Sequence, residues 1–115
     1  MSFRGSCHCG KLAYTVEEDV PAKAMACNCS ICRRKGALHH FITPDKFHRE
    51  ASDDDIRVYT FNKHVIRHQF CKACGAAPFA EGMSPKGPMV EINLRCAEGV
   101  DLDALEITEF DGASL

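Results

Sequence analysis

The sequence has little of what several function classes require. Basic residues are not in excess: 14 Lys and Arg stand against 16 Asp and Glu, for a net charge of −2. The basic footprint of a nucleic-acid binder is therefore missing, and no nucleic-acid partner is expected. No apolar run approaches the length of a membrane span, so no membrane partner is expected either. Residues 1–5 (Met-Ser-Phe-Arg-Gly) lack the long apolar stretch of an export signal, which makes the cytoplasm the expected location. Tryptophan is absent and tyrosine occurs twice. Repeats, linkers and low-complexity tracts are also missing. A chain of 115 residues with 45% hydrophobic and 26% charged residues then fits one globular domain over residues 1–115.

Long helical periodicity is scarce as well. Short alternating segments dominate instead. Residues 2–6, 11–16, 23–27, 37–42, 56–61, 65–70, 78–81, 89–94 and 106–110 read as strands, with Leu12, Tyr14 and Val16 on one face and Val90, Ile92 and Leu94 on another. Residues 62–64 (Asn-Lys-His) give a hairpin signal. Residues 78–81 read as an edge strand and 82–88, rich in Gly and Pro, as a loop. Residues 52–55 read as a charged loop. Helical turns are expected over 30–35, with Ser30 as cap and Gly36 as stop, over 43–47 with Pro44 at the first position, and over 101–105. The fold class is all-β, built of small sheets with one or two short helical turns.

Against these absences stands one excess: eight cysteines. Three fall within six residues, at Cys27, Cys29 and Cys32, and disulfide geometry does not let three such neighbours pair among themselves. Cysteines of a cytoplasmic protein usually stay reduced, so a metal is the better reading. Thiolate sets select zinc, copper(I) or iron–sulfur clusters, and zinc is the commonest.

Two tight turns share a feature. Cys9 precedes Gly10 and Cys74 precedes Gly75, and a backbone that curls around a metal often needs the positive φ that glycine reaches without strain. Cys7, Cys9, Cys71 and Cys74 are assigned to one closed, tetrahedral structural zinc. Such zinc contributes about 10–16 kcal/mol of apparent binding energy. Small domains are stable by only about 5–15 kcal/mol, so its loss should unfold the chain. Cys27, Cys29 and Cys32 form a separate second site, with Arg33 where the other turns have glycine. Two readings remain for Cys96: the fourth ligand of that second site, or a buried free thiol; the second is favoured because Cys96 has no ligand neighbour in sequence.

Other residues near the second site are candidates for substrate chemistry. Arg33, Arg34 and Lys35 can hold carboxylates, or can form a solvated basic patch. His39 and His40 are neighbours in a strand and face opposite ways, so at most one points toward a pocket. His39 is the candidate proton shuttle. His40, His64 and His68 read more simply as satisfied or solvated histidines, and His8 as a turn residue. Asn28 and Ser30 either bond to sulfur or substrate or shape the turn.

The motifs C-H-C-G, C-N-C-S-I-C-R-R-K-G-A-L-H, F-C-K-A-C-G, I-N-L-R-C and a terminal F-D-G keep an order that resembles the glutathione-dependent formaldehyde-activating enzyme family, which includes the centromere protein V domain. The resemblance covers nearly the whole chain. It implies a β-tent of small sheets clamped by a structural zinc at Cys7, Cys9, Cys71 and Cys74. It also implies a second, catalytic zinc on Cys27, Cys29 and Cys32 with one position open, so two zinc ions per chain. The activity implied is that of a carbon–sulfur lyase joining glutathione and formaldehyde into S-hydroxymethylglutathione, with a small-molecule thiol and a small aldehyde as partners. A free thiol is only about 3% ionised at pH 7, so ionising it gains at most about 30-fold, part of which is returned as lower nucleophilicity. Holding thiol and carbonyl together offers more, up to about 7–11 kcal/mol. Two other readings of the same motifs are a glutathione carrier without turnover and a structural zinc module that contacts a macromolecular partner.

Overall fold

Strands β1 (Phe3–Ser6), β2 (Ala13–Val16) and β5 (Phe47–Glu50) form a three-stranded antiparallel sheet in the order β1-β2-β5, in a computed structural model that describes residues 1–61, 63 and 65–114. The second sheet has seven strands. Its members are β3 (Lys23–Cys27), β4 (His39–Ile42), β6 (Ile56–Tyr59), β7 (Arg67–Cys71), β8 (Phe79–Ser84), β9 (Gly87–Asn93) and β10 (Glu106–Phe110). They lie in the order β10-β3-β4-β9-β8-β7-β6, antiparallel throughout except for the parallel pair β10 and β3. The fold is all-β, as the alternation in the sequence predicts. One α-helix, α1 (Ser30–Lys35), interrupts the strands, joined by five 3-10 turns among the described residues. None of the described helices is long and apolar enough to cross a membrane.

The core forms where the inward faces of the two sheets meet. Leu12, Tyr14 and Val16 are fully buried from the first sheet, and Ile42, Phe79, Val90, Ile92 and Leu94 are buried from the second or its margin. Each such aliphatic side chain contributes about 1.5–3 kcal/mol by leaving water. Phe79 is the hinge of the packing. Its ring meets Tyr14 edge-on at 6.1 Å and Phe47 at 5.2 Å, so the central strand and one edge strand of the small sheet lock onto one residue of the other.

Several local expectations need correction. The cap of α1 is Cys29, not Ser30, and no side chain caps the helix; Ser30 is already helical because the chain turns at the sulfur loop. Gly36 does stop it, in the left-handed conformation at φ 68°. Residues 78–81 are not an edge strand. They begin β8, an interior strand that continues through Gly82 and turns at Pro85-Lys86 straight into β9, so most of the expected loop is a hairpin. Pairing of Gly82, Met83 and Ser84 with β9 overrides the local Gly and Pro signal there. Strand β5 was not anticipated, because Phe47-His48-Arg49-Glu50 is an edge segment with one partly buried side chain and no apolar alternation. The expected loop at 52–55 contains a 3-10 turn capped by Ser52. Strands β6 and β7 pair as the hairpin signal requires, although residues 62 and 64 of its turn lie outside the described residues.

Gly5 pairs across the ladder with Tyr14, and the phenol ring lies over it. A Cβ at Gly5 would run into the Tyr14 ring and hydroxyl and come within 2.7 Å of the Cys96 carbonyl oxygen. The backbone there is not left-handed, so the constraint is space alone. Gly5→Ala is expected to destabilise the protein by about 1–3 kcal/mol, the range for overpacking, measured as a lowered denaturation midpoint at unchanged slope. An unchanged midpoint would contradict this packing.

Candidate metal centre and its surroundings

The first cysteine group joins the two sheets. Cys7 and Cys9 lie in the turn between β1 and β2. Cys71 ends β7, and Cys74 lies in the turn that follows. Both turns depend on glycine as expected: Gly10 has φ 87° and Gly75 has φ 81°. Each closes its turn by donating its amide back to the cysteine carbonyl, Gly10 to Cys7 at 3.2 Å and Gly75 to Cys71 at 2.9 Å. Other amides point at sulfur. Leu12 donates to Cys7 Sγ at 3.3 Å, and Ala73 and Cys74 donate to Cys71 Sγ at 3.3 and 3.5 Å.

All four sulfurs lie within 4.8 Å of one another. The Cys7–Cys9 and Cys9–Cys71 pairs are 3.6 Å apart, and all eight cysteines are unbridged. Four sulfurs around zinc at about 2.3 Å would be about 3.8 Å apart, so the donor set and its spacing fit the ion. Protons are shared unequally in the crowded cluster. The amides of Ala76 and Cys9 hold the Cys74 thiol down to about 6. The Cys9 thiol accepts from the Lys11 amide, yet desolvation and the neighbouring sulfurs push it up to about 11. A set that keeps one sulfur ionised while others resist is one that a cation would relieve.

The second group is built differently. Cys27 ends β3, Cys29 caps α1, and Cys32 lies in the helix's first turn. Their sulfurs also lie within 4.8 Å of one another, and no fourth Cys, His, Asp or Glu among the described residues joins them. Cys29 donates its amide to Cys27 Sγ at 3.5 Å. Burial opposes ionisation of Cys29, but hydrogen bonds from Cys32 and Cys27 lower it below the ordinary thiol value. Burial first, and then the Cys29 hydrogen bond and the nearby charges, raise Cys32 well above it. Three thiol donors of this kind could hold a soft divalent ion.

The C-terminal segment walls this second group. Strand β10 runs parallel to β3 and places Phe110 opposite Cys27. Asn28 then grips the segment beyond it. Its amide donates to the Phe110 carbonyl at 3.2 Å, its side-chain amide donates to Asp111 Oδ1 at 3.0 Å, and its Oδ1 accepts from the Ala113 amide at 2.9 Å. Ser114 Oγ donates to Asp111 Oδ2 at 2.6 Å, and these two contacts hold the Asp111 carboxyl below its usual range. Gly112 is thereby laid against the sulfurs: a Cβ there would sit 2.5 Å from Cys27 Sγ and 3.3 Å from Cys29 Cβ. Sequence reasoning noted the terminal F-D-G but gave it no role. The parallel strand pairing that brings it to Cys27 has no local signal.

Cys96 stands elsewhere. It ends a 3-10 turn after β9, and its thiol is raised by burial and then by the charges of Cys7 and Cys74, not by the second group. The three basic residues diverge. Arg33 lines a hollow with Cys27, Asn28 and Asp111, and Lys35 lines another with Ile31 and His68. Arg34 folds back to donate to the Ser30 carbonyl at 2.7 Å.

His39 and His40 point to opposite faces, as strand alternation demands. His40 contacts Glu18 at 2.9 Å, and Glu18 also accepts from Lys46 at 3.1 Å, on the small-sheet side. His39 is buried on the other face, with Nδ1 2.7 Å from Glu91 Oε1. That distance is short, but the ring N–H does not aim along it, so the contact is Coulombic more than directional and Nε2 has no partner. Across the sheet His68, Ala80, Glu91 and Phe41 stand in one row. Burial opposes the Glu91 charge, but His39 and then Lys35 and His68 keep its carboxyl below the ordinary value. Burial, and then the charge of Lys35, lower His68. Neither His68 nitrogen has a hydrogen-bond partner. The expectation of a satisfied or solvated His68 fails, since the ring is buried and its nitrogens are unpartnered, and Glu91 carries no local signal; the two come together through cross-strand register.

A β protein with one four-cysteine and one three-cysteine group, each able to hold a metal ion, is the class that this geometry defines. The chain matches the family described as glutathione-dependent formaldehyde-activating enzyme over residues 2–106, and it belongs to that family. It is also similar to a Rhodobacter sphaeroides protein of known crystal structure, with 27% identity over 93% of this chain and 99% of that one, at a TM-score of 0.79.

Two substitutions test the site's construction. Gly112→Ala pushes the terminal segment off Cys27 and is expected to weaken metal binding at the second group about 10–100-fold, the usual cost of disturbing a ligand's supporting contacts. Competition with a chromophoric chelator measures it. Cys96→Ala is expected to leave the metal content unchanged; a fall equal to that of Cys32→Ala would place Cys96 among the ligands.

Proposed function

We propose that this chain is a zinc-dependent carbon–sulfur lyase of the formaldehyde-activating type. It would act as a single domain over residues 1–115, in the cytoplasm, with zinc on both cysteine groups. The observation that carries the reading is the contrast between the groups: four sulfurs in one, three in the other, with buried His39 and Glu91 beyond the three. Family membership supports the same reaction class. Cys7, Cys9, Cys71 and Cys74 hold the structural ion. Cys27, Cys29 and Cys32 would hold the catalytic one, which when bound would stabilise a thiolate or polarise a carbonyl.

The reaction joins a thiol such as glutathione to a small aldehyde. The sulfur forms a bond to the carbonyl carbon, the carbonyl π bond opens, and the thiol proton ends on the new hydroxyl; reversal cleaves the carbon–sulfur bond. His39 is the proton carrier in this scheme. Burial beside Glu91 gives it a counter-charge when it takes the proton, and the free Nε2 can pass the proton on. Arg33 and Lys35, which line two separate hollows, would meet the separated carboxylates of glutathione. Arg34, folded onto its own helix, is the least suited of the three.

Exchange NMR with zinc-loaded protein, glutathione and formaldehyde tests the reading. Acceleration over the spontaneous condensation is expected, with loss of nearly all of it in Cys32→Ser at unchanged thermal stability. His39→Gln should lower the rate about 10²–10⁴-fold, the range of general acid–base catalysis, with glutathione affinity retained. Bound glutathione without acceleration would instead favour a carrier.

A further inference from the structure

On the sheet face that bears Glu91 lies a cavity of about 440 Å³ that the proposed reaction with formaldehyde does not use. Phe41, Ile66, Gly82, Met83 and Met89 line it, with Glu91 at one end. A one-carbon aldehyde is little larger than water, whose share of liquid volume is about 30 Å³, and would leave this space almost empty. We infer that the cavity binds an apolar group on the carbonyl substrate, aromatic or medium-chain alkyl, with the reacting carbonyl turned toward His39 and Glu91. The inference rests on the lyase reading above for the word carbonyl.

Three observations carry it. Gly82 sits inside an interior strand, where glycine weakens the sheet and often marks close approach of a ligand. Its backbone is not left-handed, and a Cβ would touch only Ile66 at 3.4 Å, so no conformational need explains the glycine. The missing side chain opens the cavity floor. Next, Ala80 stands between His68 and Glu91 in the cross-strand row and keeps the floor low toward the titratable groups. Finally, Met83 and Met89 both line the space, from the paired strands β8 and β9, and flexible thioethers adapt to apolar ligands of varied shape. The occupant must be apolar at one end, because Phe41, Ile66 and Met83 leave 42%, 45% and 61% of their surface exposed here. It must be polar at the other, where Glu91 and, 2.7 Å from its Oε1, the His39 ring stand. A carboxylate alone would repel a carbonyl oxygen, but an imidazole N–H can donate to one, so an aldehyde with an apolar substituent suits that end. The step is otherwise the one already balanced: sulfur to carbon, proton to oxygen.

The test uses the zinc-loaded full chain with 13C-methyl methionine and benzyl alcohol, an unreactive analogue of benzaldehyde. The four methionines include Met1 and Met25 as internal references. Saturable shifts of the Met83 and Met89 methyls are expected; Gly82→Leu, which fills the floor, should weaken both, and Met89→Gln should weaken that of Met83. In parallel, the ratio of benzaldehyde to formaldehyde rates with glutathione should fall about tenfold or more in these variants, the scale of a lost apolar pocket contact. Uniform or unsaturable shifts would overturn the inference. So would methyl shifts that track protein concentration without the alcohol, which would assign the face to a second copy of the chain. Acceleration with formaldehyde but not benzaldehyde would sink this inference and leave the lyase reading standing. Saturable methyl shifts with neither aldehyde accelerated would sink the lyase reading and the carbonyl part of this inference with it, leaving only an apolar binding cavity.

Discussion

Four sulfurs drawn from both sheets to one point are the constraint on which the rest of the molecule depends. Cys7 and Cys9 come from the first hairpin, Cys71 and Cys74 from the end of a strand more than sixty residues later, and they meet within 4.8 Å. A chain of this size has a modest core, since small domains bury roughly two thirds of their unfolded surface. The aromatic lock at Phe79 and the sulfur tie act on the same joint from two sides. An ion at that tie closes a long loop, and the entropy of such closure grows slowly with loop length. An ion held there would give the fold a remote cross-link at little more cost than a local one.

Once the sheets are fixed, the large sheet has one face packed against the small sheet and another that carries the titratable row. Strand alternation puts Ile42, Val90 and Ile92 inward and sends His39, Phe41, Met89 and Glu91 outward. The three-cysteine group stands at the end of this outward face, because β3 delivers Cys27 there and α1 starts at once with Cys29. The second group is walled by a backbone segment, Asp111 to Ser114, that is itself pinned by Asn28. Its sulfurs are positioned by hydrogen bonds and close packing, while the first group is positioned by two independent glycine turns.

Much of this was legible in the sequence, for identifiable reasons. Thiols at short spacing, and Gly10 and Gly75 after them, are local signals, and the two groups assemble as the spacing predicts. Alternation located nearly every strand with a buried face. It failed for β5, an edge segment with no apolar rhythm, and for β8, where pairing with β9 outweighs Gly82 and Pro85. The surroundings of the site were illegible for one reason. Glu91, His68, Ala80 and Gly112 come together through strand register and through the parallel pairing of β10 with β3, and register leaves no mark on any single segment. His39 was singled out by residue type and by the opposite-face argument; its buried carboxylate partner was not.

The central claim is that one metal is enclosed by the chain while the other has a vacant position for a thiol. Zinc X-ray absorption on the loaded protein, with and without glutathione, addresses it most directly. The account predicts an average near three and a half sulfurs per zinc without the thiol, rising to four when it is added. An average of four at the outset, or no change on adding glutathione, would contradict it.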